Sequence, residues 1–340
     1  MTGRTLVVGA GAIGGVAAAY LTRAGYDVTA VDADAEHVAL LRQPGLTLEE
    51  VHGGTAVIPI QAVTAAAQLT GRFDFALITV KSTAIQAALT PLVADDMVDT
   101  YVSLGNGLVQ DAVSSVVGRE RLLVGLIEWG STNLGPGHMQ QTTDAPIVIG
   151  EPDGTSTPRL GQLCGLLSTV AGGSKVSSAI GGQVWTKLLL NSTFSGLGAA
   201  AGCLYQDVAD HPVGREIALR LWSEGYRTAQ ALGMELGEVF GVAAKELVLD
   251  QSPDRASVDA ALDRLMARAG ATKASMLQDL ERGRKTEVDV INGGIVTAAR
   301  TVDRGAPMNA AVTHLIHEHE RGATKPGPDA FARLQEVNSS

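Results

Sequence analysis

A glycine-rich segment near the start of the chain constrains its fold more than any other feature. Gly9–Gly14, which reads GAGAIG, follows the apolar run Leu6–Val8 and precedes an apolar helical stretch. In a strand–loop–helix unit the first glycine permits a tight turn, the second lets the backbone approach a pyrophosphate, and the third allows close packing of helix on strand. The segment therefore predicts dinucleotide binding at a helix N-terminus, against the simpler alternative that the glycines only shape a turn. The predicted contacts are Gly9, Gly11, Ala12, Ile13 and Gly14.

Asp32 follows the second β-branched run, Val28–Val31, close to where the adenosine ribose of a bound dinucleotide is expected. A carboxylate there can accept both ribose hydroxyls but repels a 2′-phosphate. Asp34 and Glu36 come next, and the nearest downstream arginine is Arg42, so the local charge also disfavours NADP. We therefore predict NAD as the preferred cofactor. The alternative is that Asp32 or Asp34 caps the next helix, and the two roles are compatible.

The first half of the chain alternates short strand-like runs with amphipathic helical patterns, which is typical of a parallel sheet with crossover helices. The strand-like runs are Leu6–Val8, Val28–Val31, Phe75–Val80, Val98–Leu104 and Leu122–Ile127. The region that follows is rich in glycine and proline, and it predicts a hairpin of Met139–Thr143 with Ile147–Ile149 that finishes the same sheet. A helix at 159–171 and a strand at 175–178 complete a predicted dinucleotide-binding Rossmann domain over residues 1–178.

Beyond Gly181 helical periodicity dominates the sequence. The predicted helices span 185–200, 214–232, 236–249, 258–269, 287–303 and 310–320. The second domain, residues 179–335, is therefore predicted to be all-helical and to bind the substrate, and only the last dozen or so residues are expected to be loosely held. The predicted fold class is α/β, a doubly wound parallel Rossmann sheet followed by a helical C-terminal domain.

Charge and cysteine content narrow the range of partners. The net charge of -10 gives no general attraction to nucleic acid or to membrane surfaces, so a small metabolite is the expected partner. The two cysteines, Cys164 and Cys203, lie far apart without metal-type spacing, so neither a disulfide framework nor a metal site is predicted. The N-terminal residues do not resemble a signal segment, and no apolar run reaches transmembrane length, which predicts a cytoplasmic protein.

An apolar segment in the second half carries a polar stripe. Lys187, Asn191 and Ser195 are spaced by four, which places them on one face of a predicted helix that also contains Trp185 and Phe194. Polar groups in a largely buried helix need partners. Reduction of a carbonyl needs a proton donor beside the oxygen, and a lysine ammonium suits that task.

Several segments together resemble the ketopantoate reductase (2-dehydropantoate 2-reductase) family, in order and over nearly the whole chain. They are the glycine-rich segment, Val80-Lys81, Asn106-Gly107, the Trp185/Lys187/Asn191 helix, and the run from Ser275 to Gly293. The last of these is the most specific, because it reads SMLQD, six further residues, TEVD, one residue and ING. Taken alone, its charges would be typical of a solvated helix surface.

The resemblance implies a role for each matching residue. Lys187 would be the general acid in reduction, and Glu287 would align the lysine or the substrate. Lys81 and Asn106 would lie by the nicotinamide end of the cofactor. Asn191 and Ser275 would bind polar groups of the substrate, in a pocket expected between the two domains. A homodimer is a further expectation, to which apolar stretches such as Ile217–Trp222 could contribute.

Three features depart from the family pattern. Ser195 stands where members commonly have a second asparagine, and Thr272 stands where they often have another. Members typically use NADPH, whereas Asp32 favours NAD. The predicted function is therefore hydride transfer between a nicotinamide cofactor and a small 2-keto or 2-hydroxy acid such as ketopantoate, with Ser195 among the substrate-binding residues. The alternatives are an NAD-dependent dehydrogenase of the same family that oxidises a different small hydroxy compound, and a non-catalytic dinucleotide sensor.

Overall fold

The computed structural model describes residues 3–337, which divide into two compact units. One unit consists of residues 3–105 and Val109–Ile180, and the other of Asn106–Leu108 and residues 181–337. The short segment Asn106–Leu108 therefore packs with the second unit, although the sequence had placed it in the first domain.

The first unit alternates strands and helices, as the sequence predicted. Its strands are β1 (Thr5–Val8), β2 (Val28–Val31), β3 (Leu46–Glu49), β4 (Thr55–Ile58), β5 (Gln61–Val63), β6 (Phe73–Ile78), β7 (Val98–Ser103), β8 (Leu122–Ile127), β9 (Ser131–Gly135), β10 (His138–Gln141), β11 (Ile147–Gly150) and β12 (Ser174–Val176). Its helices are α1 (Ala12–Arg23), α2 (Ala35–Leu40), α3 (Ile85–Ala94), α4 (Gln110–Val117) and α5 (Pro158–Leu167).

The main sheet has eight strands in the order β12-β11-β8-β7-β6-β1-β2-β5. Every pair is parallel except β11 with β8. The run β5-β2-β1-β6-β7-β8 is the strand order of a doubly wound Rossmann sheet, which confirms the predicted fold class. The order reverses between β1 and β6, where Val8 pairs with Ile78. Ligands of such sheets bind beyond the carboxyl ends of the strands at this point.

The predicted hairpin between 139–143 and 147–149 is wrong. Strand β10 belongs to a separate four-stranded sheet, β4-β3-β10-β9, where it is antiparallel to β9 and parallel to β3. Strand β11 instead pairs antiparallel with β8 in the main sheet. Met139 is completely buried, in one core with Leu46 and Leu48 of β3. The alternation of apolar residues identified the strands, but it carried no information about which partner each strand would find.

The second unit is predominantly helical. Its helices are α6 (Ile180–Leu190), α7 (Gly196–Ala201), α8 (Tyr205–Asp210), α9 (Pro212–Ala231), α10 (Arg255–Ala269), α11 (Ser275–Glu281), α12 (Asn292–Arg300), α13 (Pro307–Glu320) and α14 (Asp329–Gln335). The predicted helix at 236–249 is wrong, because β13 (Glu238–Val239) and β14 (Val242–Ala243) form a small hairpin there. Its turn places Phe240 and Gly241 at positive φ, which a helix does not accommodate.

Two further differences concern the predicted helix at 185–200 and the C-terminal residues. The predicted helix 185–200 is interrupted by a π-helical turn, Asn191–Ser195, between α6 and α7. The C-terminal residues expected to be loosely held include α14, whose Phe331 is buried and stacks on the His211 ring with centroids 4.3 Å apart. Residues 338–340 lie outside the described part of the chain.

The core of the second unit accounts for the apolar stretch 217–222. Ile217, Leu221 and Trp222 are buried within it, so they do not offer the exposed surface on which the idea of self-association drew. Over residues 3–337, no helix combines the length and the apolar character needed to cross a membrane. The same described residues contain no group of three or more His, Cys, Asp or Glu side chains arranged to hold a metal ion.

Candidate active site

The glycine-rich segment joins β1 to α1, and the fold requires two of its glycines. Gly9 has φ +91°, a conformation that side chains disfavour, and a Cβ there would lie 2.8 Å from Val80 Cγ1. A Cβ at Gly14 would overlap the Gly9 carbonyl oxygen and the Thr79 hydroxyl. Thr79, just beyond β6, donates a hydrogen bond to the Gly9 carbonyl oxygen. The loop is thus packed against the end of the neighbouring strand.

Gly11 differs from these two because, apart from its chain neighbours and nearby helix backbone, no atom of residues 3–337 lies within 4 Å of where its Cβ would be. The fold therefore leaves open space in front of this residue. Gly11 is also the N-cap of α1, and no side chain in the described part of the chain forms a capping hydrogen bond there. Ala12 and Ile13 are partly exposed residues of the first helical turn, where backbone N–H groups lack a partner within the helix and can bind an anion. These features fit a dinucleotide pyrophosphate, which needs backbone donors and close approach.

Asp32 lies directly after β2, beside the glycine-rich segment. Its Oδ2 accepts the Ala10 N–H at 2.8 Å, and its Oδ1 accepts the Asp34 N–H at 3.0 Å. Asp34 in turn caps α2 by accepting the His37 N–H at 3.0 Å. The capping role that the sequence left open therefore belongs to Asp34. The carboxylate of Asp32 is fixed by two backbone donors at the end of its strand.

Lys81 follows β6, the strand next to β1 at the reversal of strand order. It is partly buried and immediately precedes a short 3₁₀ turn. Its backbone therefore belongs to the same carboxyl edge of the sheet as the glycine-rich segment and Asp32.

In the second unit, Asn106 lies between Lys187 and Glu287. Lys187 Nζ donates to Asn106 Oδ1 at 3.3 Å, and Asn106 Nδ2 donates to Glu287 Oε2 at 3.3 Å. All three side chains are partly buried. The two bonds of opposite polarity fix the orientation of the amide. The sequence predicted all three residues as functional, and the structure brings them together.

The backbone around Asn106 is held to the turn that carries Glu287. The Leu108 N–H donates to the Val290 carbonyl oxygen at 2.9 Å. Gly107 has φ +73°, and a Cβ there would overlap that same carbonyl oxygen. The Asn106-Gly107 dipeptide forms a bend, in which glycine is needed for the close approach to the neighbouring backbone.

The sequence had predicted Glu287 inside a helix at 287–303. In the structure it precedes α12 and lies outside any helix. Its neighbour Thr286 is buried and donates to Glu320 Oε1 through both its N–H and its hydroxyl, each at 2.8 Å. The Glu320 side chain is only 4% exposed. Burial opposes ionisation of this carboxyl, but the Thr286 hydrogen bonds and nearby Lys285 outweigh burial and keep the Glu320 pKa below its usual value.

The three residues predicted to bind substrate differ in how far they are buried and in where they lie in their helices. Asn191 is partly buried at the start of the π-helical turn. Ser195, at the end of that turn, is buried, and its hydroxyl forms a short hydrogen bond with the Tyr205 hydroxyl. Ser275 is exposed as the first residue of α11. The spacing by four thus does not give one continuous polar stripe, because the π-helical turn interrupts the α-helical geometry.

Sequence reasoning missed a buried polar network behind this turn. Asn292 Nδ2 donates to the Ser192 carbonyl oxygen at 2.8 Å and to Asn309 Oδ1 at 3.0 Å. Asn309 donates through its amide to Glu224, at 2.8 Å. Asn292 belongs to the ING end of the run from Ser275 to Gly293. This run was the only sequence signal that could have pointed to Asn292. His37, which contacts Ala10, was also missed.

Two family models match most of the chain. The model described as Ketopantoate reductase PanE/ApbA matches residues 5–154, and Ketopantoate reductase PanE/ApbA C terminal matches residues 179–320. The 2-dehydropantoate 2-reductase of Halobacterium salinarum is 25% identical over 319 residues, covering 94% of this chain and 99% of the relative. The 2-dehydropantoate 2-reductase of Aquifex aeolicus is 26% identical over 327 residues, covering 94% and 98%.

Solved structures share the architecture. A PanE/ApbA family ketopantoate reductase from Ralstonia eutropha JMP134 is similar with a TM-score of 0.78 and 24% identity, covering 94% of this chain and 99% of that one. A complex of D-mandelate dehydrogenase with NADH is similar with a TM-score of 0.78 and 20% identity, covering 94% and 100%. At these identities the structural likeness establishes a shared fold, while the family models extend over both units. The chain belongs to the ketopantoate reductase family and is a nicotinamide-dependent oxidoreductase acting on a CH–OH group.

Proposed function

We propose that Lys187 is the general acid and base of this enzyme, and that the substrate is a small 2-keto acid, such as ketopantoate, or the corresponding 2-hydroxy acid. The observation that carries the proposal is the amide of Asn106, which links the ammonium of Lys187 to the carboxylate of Glu287. A partly buried lysine in a mostly apolar helix, oriented by a fixed acceptor, is suited to proton transfer.

In the direction of reduction, Lys187 donates a proton from its ammonium to the carbonyl oxygen of the substrate as negative charge develops there. A nicotinamide cofactor held at the glycine-rich segment would supply hydride for reduction and accept it in oxidation. Asn106 and Glu287 keep the ammonium in place, and the neutral amine left on Lys187 regains a proton from solvent. Asn191 and Ser275 bind the polar groups of the substrate, and Lys81 and Asn106 would lie by the nicotinamide.

We assign NAD as the preferred cofactor. The carboxylate of Asp32 is held by the N–H groups of Ala10 and Asp34, so it is positioned to accept ribose hydroxyls and to repel a 2′-phosphate. Arg42, the nearest downstream arginine, donates its Nε–H to the Ala62 carbonyl oxygen at 2.6 Å. This hydrogen bond holds the Arg42 guanidinium against β5.

The test is Lys187→Ala in steady-state turnover of ketopantoate with NADH. Loss of the proton donor should lower turnover by about 10²- to 10⁴-fold while leaving the dinucleotide Kd within about threefold of wild type. Lys175→Ala removes an exposed lysine of β12 and serves as the matched control. Near-wild-type turnover in Lys187→Ala would refute the assignment.

Ser195 favours a second candidate, an NAD-dependent dehydrogenase of the same family that oxidises another small hydroxy compound. Members of the family commonly have an asparagine at this position, so the serine removes an amide that could contact the substrate. The Ser195 hydroxyl is itself hydrogen-bonded to the Tyr205 hydroxyl. NADH and NADPH oxidation with ketopantoate, compared with NAD reduction on a panel of hydroxy acids and alcohols, separates the two candidates. Turnover of a panel member with NAD, and none of ketopantoate, would favour the second.

The cytoplasmic location and the homodimer stay predictions. Size-exclusion chromatography with light scattering tests the homodimer, since a dimer doubles the mass of 35.1 kDa expected for one chain. Recovery of the native protein in the cytosolic fraction tests the location.

A further inference from the structure

Ala10, in the glycine-rich segment, is held through both sides of its backbone by side chains from outside the segment. Its N–H donates to Asp32 Oδ2 at 2.8 Å. Its carbonyl oxygen lies 2.8 Å from His37 Nε2. Ala10 is completely buried, so these two contacts help to fix where the backbone enters Gly11.

His37 has one arrangement of protons that satisfies both of its neighbours. The Gly137 N–H can only donate, and it lies 2.8 Å from His37 Nδ1, so Nδ1 accepts and carries no proton. The proton of the neutral ring is therefore on Nε2, which donates to the Ala10 carbonyl oxygen. The His37 side chain is buried, at 4% exposure, so neither polar partner has ready access to water in its place.

Asp34 completes the arrangement. Its N–H donates to Asp32 Oδ1, and its carboxylate accepts the His37 N–H, each at 3.0 Å. A closed cycle of hydrogen bonds thus links Ala10, Asp32, Asp34 and His37. This cycle connects the backbone before Gly11 to the carboxylate proposed to bind the adenosine ribose.

We propose that His37 is a cofactor-positioning residue. It acts through Ala10, by fixing the peptide that leads into the open space at Gly11, and it makes no contact with the cofactor itself. This inference rests on the proposed binding of a dinucleotide at the glycine-rich segment. Because the imidazole fixes the shared pyrophosphate-binding backbone, it affects NADH and NADPH alike, whereas Asp32 discriminates between them.

The test compares His37→Leu with His37→Gln by titration with NADH and with NADPH. Leucine removes both the donor and the acceptor, so the Kd of each dinucleotide should rise about tenfold, with the ratio of the two unchanged within about twofold. Glutamine carries an amide donor and an amide acceptor, and it should restore affinity to within about threefold of wild type. Turnover at saturating cofactor should stay within about twofold in both variants, because a positioning role upstream of Gly11 acts on binding.

His52→Leu is the matched control, since that side chain is 79% exposed and pairs only with Asp144 among the described residues. Wild-type affinity in a folded His37→Leu protein would overturn the inference. So would equal losses in both His37 variants accompanied by a lower melting temperature of the apo enzyme, since that pattern reports general destabilisation. A wild-type protein that binds neither dinucleotide would instead refute the proposed cofactor site, and the inference would fall with it.

Discussion

The ammonium of Lys187 donates a 3.3 Å hydrogen bond to the amide oxygen of Asn106, which lies 81 positions earlier in the chain. The same amide donates to Glu287, 181 positions later than Asn106. A side chain with fixed bonds of opposite polarity cannot rotate without losing both. The proposed proton donor is therefore oriented before substrate binds, and less reorganisation is needed when charge develops on the substrate oxygen.

Asn106→Ala tests this orientation. Without the amide, Lys187 and Glu287 lose the group that links them, and turnover should fall about 10- to 100-fold, the scale expected for a displaced catalytic group. The dinucleotide Kd should change less than turnover does, because Asn106 is expected only at the nicotinamide end, whereas the proposed pyrophosphate and ribose contacts lie elsewhere. Stopped-flow or steady-state assays with NADH, alongside fluorescence titration, measure both quantities.

The control for this substitution is Asn133→Ala, which removes a side chain that accepts the Gly135 N–H in the first unit. It should leave turnover unchanged. Turnover of Asn106→Ala within about twofold of wild type would show that the bridging amide has no role in catalysis.

Glu320 makes the stability of the second unit depend on pH. Its pKa lies below the ordinary value of 4.5, since burial is outweighed by the hydrogen bonds from Thr286. A carboxyl with a depressed folded-state pKa stabilises the fold at pH values above the unfolded pKa, and this stability is lost as pH falls through the folded pKa. Glu320→Gln keeps the shape but not the charge, and should lower the free energy of unfolding by about 1 kcal/mol at pH 7.

The deficit of Glu320→Gln should begin to shrink as pH falls below the ordinary carboxyl pKa of 4.5, because the unfolded wild-type chain takes up its proton first, and it should vanish only below the lower folded-state pKa. Urea unfolding at a series of pH values measures it. Glu336→Gln, at an exposed position of the second unit, should show no such dependence. A deficit that is constant between pH 7 and pH 3 would contradict the assignment of a charged Glu320.

Local patterns predicted most of the first unit. The turn at Gly9, the N-terminus of α1 and the carboxylate after β2 all follow from residues adjacent in sequence, so the strand–loop–helix unit could be read directly. The partner of β10 could not, because Met139 finds its neighbours in β3, far earlier in the chain. Periodicity identifies the buried face of a strand but not the strand beside it.

In the candidate site, too, local sequence identified individual residues but not the tertiary contacts between them. Lys187 was identified by its helical spacing and by the family resemblance, and Glu287 by the resemblance alone, yet their common contact with Asn106 depends on tertiary packing. The spacing of Ser195 from Asn191 predicted a shared face, which the π-helical turn removes. His37 gave no signal at all, because an isolated histidine in an amphipathic helix is ordinary until its two ring partners are known.

Asp32→Asn tests cofactor choice. Removing one negative charge beside the expected ribose should raise the ratio of kcat/KM for NADPH over NADH by at least about tenfold, because repulsion of the 2′-phosphate is relieved. Asp27→Asn is matched in chemistry and precedes β2 at its opposite end, where Asp27 pairs with Arg4. An Asp32→Asn ratio no larger than that of Asp27→Asn would exclude a discriminating role.

Ser195 provides the last prediction. Tyr205→Phe removes the phenol that bonds its buried hydroxyl, so the free energy of unfolding should fall by about 1–2 kcal/mol. If the Ser195 hydroxyl serves packing, Ser195→Ala should show a similar loss, the double variant should lose less than the sum, and KM should stay within about twofold in all three. Tyr26→Phe, at a partly exposed tyrosine of the first unit, is the control. A several-fold rise in KM confined to Ser195→Ala would instead assign that hydroxyl to the substrate, since only the serine would then be in contact with it.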